Sequence, residues 1–375
     1  MISGGSMRGD IRRGLFRGRT MEFEEKVKKV TRNTAEVVVL SELVEVLRRG
    51  EARGYIGVEP SGLFHIGWLI WARKVRDLSD VGIKMKILEA TWHAWINDKL
   101  GGYLEMIHKC AKYIEHVLKS LGIDKGDIEY VKAEELISDP EYWRIVVTVA
   151  KNLSLARVRR AITIMGRKES EGILDFSKLI YPCMQVADIF YMDLDVCLGG
   201  TDQRKAHMLA REIAEKKKWK KPVAVHTPLL ISLRPPLGAE EVDEVDLKMS
   251  KSKPETCIFV HDTPDDIAKK VEYAYCPMKV VEMNPIIEIC KHILFAQNGF
   301  KLYVEREEKH GGDIYIESFD ELVQLYSKGE LHPQDLKRAV AKALSEILEP
   351  VRRYFEVNRE AKELLRTMSN ATITR

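Results

Sequence analysis

Apolar positions along this chain switch between two periods, and the switching lays out most of its elements. Residues 36–48 carry Val39, Leu40, Leu43, Val46 and Leu47 at helical spacing, which predicts a first helix. Tyr55, Ile56 and Val58 predict a buried strand, broken by Pro60, Ser61 and Gly62; a helical pattern then opens at His65 and runs through Trp68, Ile70, Trp71 and Val75. Further strands are predicted at 85–92, 127–131, 195–198 and 222–226, and helices at 103–121, 141–167, 176–191 and 203–217. Strands alternating with helices call for an α/β fold: a doubly wound, Rossmann-like parallel sheet with ligands at the carboxyl ends of its strands. From residue 263 the pattern turns mostly helical, at 267–274, 286–296, 320–327 and 333–347, with one hairpin at 302–318 and a frayed helix at 357–375. The expected division is an arm over 1–33, an α/β domain over 34–263 and a helical domain over 264–375.

Composition narrows the class. A chain of 375 residues, 45% hydrophobic and 31% charged, suits two compact soluble domains, and no apolar run reaches the length of a membrane span. Arg8, Arg12, Arg13, Arg17 and Arg19 make a basic start without the apolar core of a signal peptide, and read as a flexible arm. A formal charge of +3 is too small to argue nucleic-acid binding by itself. The six cysteines show no C-x-x-C spacing, which disfavours a zinc site or a disulfide framework and fits a reducing cytoplasm.

Three stretches carry candidate chemistry. Strand, turn and helix start over 55–68 make a place for an anion, with Gly57 and Gly67 allowing close approach and His65 able to donate to a phosphate. Lys248-Met249-Ser250-Lys251-Ser252 is either a solvated loop or a mobile cation clamp for a polyphosphate. Tyr181, Gln185 and Asp188 fall on one helix face at i, i+4 and i+7, which suits a bound ligand, a half-exposed helix or a Tyr–Asp pair satisfied in the core.

His65-Ile66-Gly67-Trp68 followed by the Lys248–Ser252 loop resembles the paired signatures of class I aminoacyl-tRNA synthetases, and the sequence between resembles the tyrosyl enzymes of archaeal and eukaryotic type. Tyr-Pro-x-Met-Gln-x-x-Asp at 181–188 and Gly199-Gly200-Thr201-Asp202-Gln203-Arg204-Lys205 carry that second likeness. The resemblance implies activation of L-tyrosine with ATP and Mg²⁺, then transfer to tRNA(Tyr), by a cytoplasmic homodimer joined through residues 141–188. It implies His65, Lys248 and Lys251 as catalytic residues. Tyr55 and Asp188 would hold the phenol, His93 would line the ring, and Tyr181, Gln185 and Gln203 would bind the ammonium. Gly57, Gly67, Asp202 and Ser250 would join the three catalytic residues around ATP. For tRNA it implies Arg204 and Lys205 at the acceptor stem, with the basic face Arg157, Arg159, Arg160, Arg167 and Lys168 nearby; Asp335 and His310 would read the anticodon, making 264–375 an anticodon-binding domain. Trp68 departs from the signature, which normally ends in a second histidine, and Thr91 stands where relatives often carry Asp. Tryptophan enzymes share the fold and both signatures; Asp188 and the Gly-Gly-x-Asp-Gln element favour tyrosine.

Overall fold

The computed structural model describes residues 21–165, 175–235 and 247–372, with the His310 side chain excepted. Six strands form one sheet in the order β1-β6-β5-β2-β3-β4. They are β1 (Glu36–Val38), β2 (Arg53–Val58), β3 (Lys84–Glu89), β4 (Glu129–Lys132), β5 (Val196–Gly200) and β6 (Val223–Thr227). All neighbours run parallel except β1, which pairs antiparallel with β6, Glu36 opposite His226. Side chains alternate between two buried faces, as a pleated strand requires. Ile56, Ile87, Val196 and Leu198 enter one core; Tyr55, Leu88 and Cys197 enter the other. Helices α3 (Trp68–Asp80) and α5 (Leu104–Ser120) cover the first face, the short α4 (Thr91–Ile96) and α6 (Ala133–Ile137) follow β3 and β4, and α7 (Pro140–Lys151), α9 (Phe176–Tyr191) and α10 (Arg204–Lys217) cover the second.

Three departures from the sequence pattern have physical causes. The start of the segment predicted as one helix over 36–48 is the edge strand β1, and α2 (Leu40–Arg49) begins only afterwards. Val37, Val38 and Val39 are β-branched and suit a sheet edge better than a helical turn. The helix expected to open at His65 starts at Trp68, because Ile66 N donates to Ile258 O (2.9 Å) and Val260 N to Phe64 O (3.0 Å), committing that backbone to a cross-chain bridge. The helix expected over 141–167 breaks into α7 and α8 (Leu155–Ala161), where Ser154 accepts from Arg157 N as a fresh cap. Apolar spacing runs on through that break, so periodicity missed it.

The end of the expected arm is a helix, α1 (Phe23–Thr31), fastened by a buried cation. Lys74 of α3 donates to the carbonyls of Val30 (2.9 Å), Lys29 (3.3 Å) and Arg32, meeting acceptors that a helix C-terminus leaves unpaired. The arginines at 8–19, with Arg167 and Lys168, lie outside the described residues.

The C-terminal part comprises α11 (Pro264–Glu272), α12 (Pro285–Ile289) continuing into a π turn (Cys290–Leu294), and the hairpin β7 (Leu302–Val304) and β8 (Ile314–Ile316). Then follow α13 (Phe319–Lys328), α14 (Pro333–Val357) and α15 (Arg359–Ser369). It docks on α5. The Tyr113 hydroxyl lies 2.7 Å from His261 Nε2 and accepts from Phe64 N at 3.0 Å, while His116 Nδ1 lies 2.9 Å from the Tyr354 hydroxyl. No helix among the described residues is long and apolar enough to cross a membrane.

Burial pushes the imidazoles of His207 and His261 down to about 3 and that of His292 to about 4. Unfolded histidines bind protons near pH 6.5, so these three contribute stability above that value and lose it as pH falls toward 4. Calorimetry should show the melting temperature dropping by several degrees between pH 7 and about 4.5; an unchanged value there contradicts the assignment.

Candidate active site

β2 and β5 pair at only two positions, Gly54 with Val196 and Tyr55 with Cys197, whereas β2 and β3 stay paired through Val58 and Glu89. Beyond Tyr55 the two central strands part, at the point where the winding reverses, and a crevice opens. The resulting cavity is lined by β2, the 59–68 turn, α9, the 199–203 turn and the 248–253 loop. Every tyrosine- and ATP-directed residue expected from the sequence borders it: Tyr55, Gly57, His65, Gly67, His93, Tyr181, Gln185, Asp188, Asp202, Gln203, Lys248, Ser250 and Lys251.

At its floor sits Asp188, 1% exposed. Its carboxylate accepts from the Tyr142 hydroxyl at 2.8 Å, and His93 Nε2 stands 3.2 Å from its other oxygen, close enough to ion-pair. Burial alone would depress His93, but Asp188, aided by Glu59, outweighs it and holds the imidazole above its usual value. Burial pushes the Tyr55 phenol well above the ordinary range, with Cys197 and Asp188 adding to it, so Tyr55 remains a neutral hydroxyl beside a carboxylate. His93 and Tyr181 stack edge to face at 5.1 Å. Packed on each other, they form one aromatic wall of the cavity.

One helical turn above, Gln185 Nε2 donates to Gln203 Oε1 (3.0 Å), and Gln203 Nε2 donates to Ile164 O (3.1 Å). Gln185 Oε1 is buried with no hydrogen-bond partner among the described residues, an acceptor aimed where a cation would satisfy it. The Tyr181 hydroxyl, expected there too, donates to Glu59 Oε1 at 2.6 Å. Gly200 lets the 199–203 turn close: a Cβ there would strike Asp202 Oδ1 at 2.6 Å and Leu229 Cδ2 at 2.7 Å. Gly62, at φ +115°, turns the chain between strand and bridge.

The two signature segments are knit together at the mouth. Residues just past the lysine loop bridge to 64–66, and Met249 N donates to Leu230 O at 2.7 Å. Lys248 Nζ reaches Asp202 Oδ2 at 2.9 Å, while Lys251 Nζ donates to Ser61 Oγ at 2.9 Å and lies 3.8 Å above the Trp68 ring. His65 adds no positive charge to that of the two lysines. Burial, then Lys251 and Lys248, hold its imidazole well below 6.5, so it is a neutral donor at neutral pH.

A family model described as tRNA synthetases class I (W and Y) matches residues 47–349. The chain is 55% identical to the tyrosine–tRNA ligase of Sulfurisphaera tokodaii over 346 residues, 91% of this chain and 95% of that one. The chain belongs to the class I tyrosyl-tRNA synthetases. Its fold matches the crystal structure of the tyrosyl-tRNA synthetase from Aeropyrum pernix with a TM-score of 0.83 at 48% identity, covering 92% of this chain and 99% of that one. It matches the enzyme from Pyrococcus horikoshii, complexed with L-tyrosine, at 0.85 and 41%, covering 92% and 100%.

The residues expected to meet tRNA lie outside the crevice. Arg204 donates to Glu36 Oε1 (2.6 Å), which also accepts from His226 Nδ1 (2.8 Å), and Lys205 donates to Thr163 Oγ1 (2.9 Å). Arg157 is tied to Glu212, while Arg159 and Arg160 face solvent. Asp335 sits in the first turn of α14, paired with Arg338, and the His310 side chain lies outside the described residues. Sequence reasoning missed Glu59, Ser61 and Tyr142. Glu59 and Ser61 were legible as polar groups just past the carboxyl end of a predicted strand; Tyr142 left no signal, being one aromatic on the apolar face of α7.

If Asp188 accepts from the substrate hydroxyl, Asp188→Asn should raise KM for tyrosine by about 30-fold and erode the preference over phenylalanine, since a charged acceptor is lost. Steady-state exchange with both amino acids checks this. Equal losses for both would mean that Asp188 serves only Tyr142 and His93.

Proposed function

We propose that the protein activates L-tyrosine with ATP in this crevice and transfers the tyrosyl group to the 3′ end of tRNA(Tyr). The observation that carries the reading is one cavity with a buried carboxylate and phenol at its floor and two lysines at its mouth. The substrate ring lies against the wall that His93 and Tyr181 form, its hydroxyl meets Tyr55 and Asp188, and its ammonium meets Gln185 Oε1, with Tyr181 and Gln203 beside it. Glu59, held by Tyr181, adds negative charge on the ammonium side.

Activation needs no general base, because an amino-acid carboxylate is ionised far above its pKa of about 3.5. One carboxylate oxygen attacks the α-phosphorus, the bond to the β-phosphate oxygen breaks, and pyrophosphate leaves with that electron pair. What must be stabilised is charge on the phosphates, which Lys248 and Lys251 supply while neutral His65 donates a hydrogen bond. Asp202 exchanges Lys248 for a ribose hydroxyl, freeing the lysine for phosphate; Gly57, Gly67 and Ser250 border the nucleotide. No group of three His, Cys, Asp or Glu side chains among the described residues is placed to hold a metal. Mg²⁺ arriving with the nucleotide would share the charge that builds on the departing pyrophosphate.

Arg204 and Lys205 stand at the rim, suited to the acceptor end, and Asp335 with His310 is assigned to the anticodon. Domain limits are placed at 34–263 for catalysis and 264–375 for anticodon binding. Exposed Trp143, Val147, Leu155 and Phe176 fall within the region assigned to dimer contacts, 141–188, and a homodimer would cover them. The cytoplasm is the proposed location: the six cysteines are free thiols, the state that a reducing compartment maintains.

Pyrophosphate exchange should depend on tyrosine and not on tryptophan, and Lys248→Ala should lower its kcat by about 100-fold or more. Sedimentation should give a dimer that Val147→Asp converts to monomer. Exchange driven by tryptophan would overturn the substrate assignment, and a wild-type monomer the assembly.

A further inference from the structure

Trp68 is a signature position to which the reaction above gives no work. It is the first residue of α3, and its indole is held from several sides: Phe64 edge-on at 5.2 Å and 85°, Trp71 at 5.8 Å and His65 at 5.5 Å. Its free face points into the crevice, where the Lys251 ammonium rests 3.8 Å from the ring centroid and donates sideways to Ser61 Oγ. Lys251 is only 8% exposed there. The two lysines of the loop are therefore seated differently. Lys248 has a carboxylate partner in Asp202, which neutralises it and must be displaced. An aromatic face attracts a cation through its quadrupole and leaves the formal charge uncancelled. An ammonium so placed keeps its field for a phosphate while lying in a fixed position.

We propose that Trp68 is a positioning residue: its indole face seats the Lys251 ammonium at the triphosphate end of the crevice before the nucleotide enters. The loop is thereby held down at both ends, by Asp202 through Lys248 and by Trp68 through Lys251, with Met249 buried between them. A lysine already in place spares the nucleotide the cost of ordering a flexible four-carbon side chain. Burial is the main cause that lowers the Lys251 pKa to about 8, and a ring face favours the charged form against that trend. This inference rests on Lys251 acting on phosphate, as proposed above.

The test is a double-mutant cycle on tyrosine-dependent pyrophosphate exchange, using Trp68→Leu, Trp68→Phe, Lys251→Met and the Trp68→Leu/Lys251→Met pair in the full-length protein. Losing a desolvated cation–π contact should lower kcat/KM for ATP by about 10- to 30-fold in Trp68→Leu. KM for tyrosine should stay within about twofold, because the floor of the pocket is untouched, and Trp68→Phe should recover most of the loss. In the Lys251→Met background the Trp68→Leu change should cost less than about threefold. An undiminished Trp68→Leu enzyme, an equal penalty in both backgrounds, or Trp68→Phe no better than Trp68→Leu overturns the seat while leaving the assignment of Lys251 standing. Full activity in Lys251→Met instead overturns that assignment, and the seat with it.

Discussion

Two central strands that pair for two residues and then separate set up everything else in this molecule. β2 and β5 are hydrogen-bonded neighbours at Gly54 and Tyr55, and past that point neither supplies the other with partners. The groups released there must be satisfied from elsewhere, by bridges, turns or a ligand. On one side the backbone at 64–66 turns to 258–260; on the other the 199–203 turn folds back through two small residues. Sequence positions nearly two hundred residues apart are brought to one opening. The fold thus makes one site from distant pieces.

Within that opening charge is graded along the axis. Asp188 lies at the bottom, where a carboxylate would be costly without Tyr142 and His93 beside it. The lysines lie at the mouth, where Lys248 has an acid and Lys251 a ring and a hydroxyl. A substrate with a phenol at one end and a carboxylate at the other matches this gradient, provided that polyphosphate lies beyond it. An apolar ring without the hydroxyl would leave the floor's polar groups facing carbon, which is the usual origin of strong discrimination. The C-terminal helices are joined to the same machinery through Tyr113, which accepts from the Phe64 amide and packs edge-on against Phe355 of α14.

Much of this was legible in the sequence. The parallel strands, α5, α9 and α10 follow from periodicity, and the site residues on β2 and α9 fall where a strand end and an apolar helix face interrupted by polar groups indicate them. Other features depend on contacts that no local pattern contains. Val37 and Val38 join a strand because β6 offers an edge, and Glu36 thereby meets Arg204 and His226. The neutrality of His65 follows from burial beneath two lysines, a tertiary fact, and the helix start at Trp68 depends on Ile258 and Val260 reaching back. Tyr142 is invisible for the same reason: on its own helix it is one apolar residue among several, and only α9 beside it gives its hydroxyl a partner.

The most direct measurement is a crystal structure with L-tyrosine bound. The ring oxygen is expected within hydrogen-bond reach of both the Tyr55 hydroxyl and Asp188, at about 2.6–3.0 Å, with the ammonium against Gln185 Oε1. A ring oxygen distant from Tyr55 and Asp188, or an amino acid lying the other way round in the crevice, would contradict the account at its root.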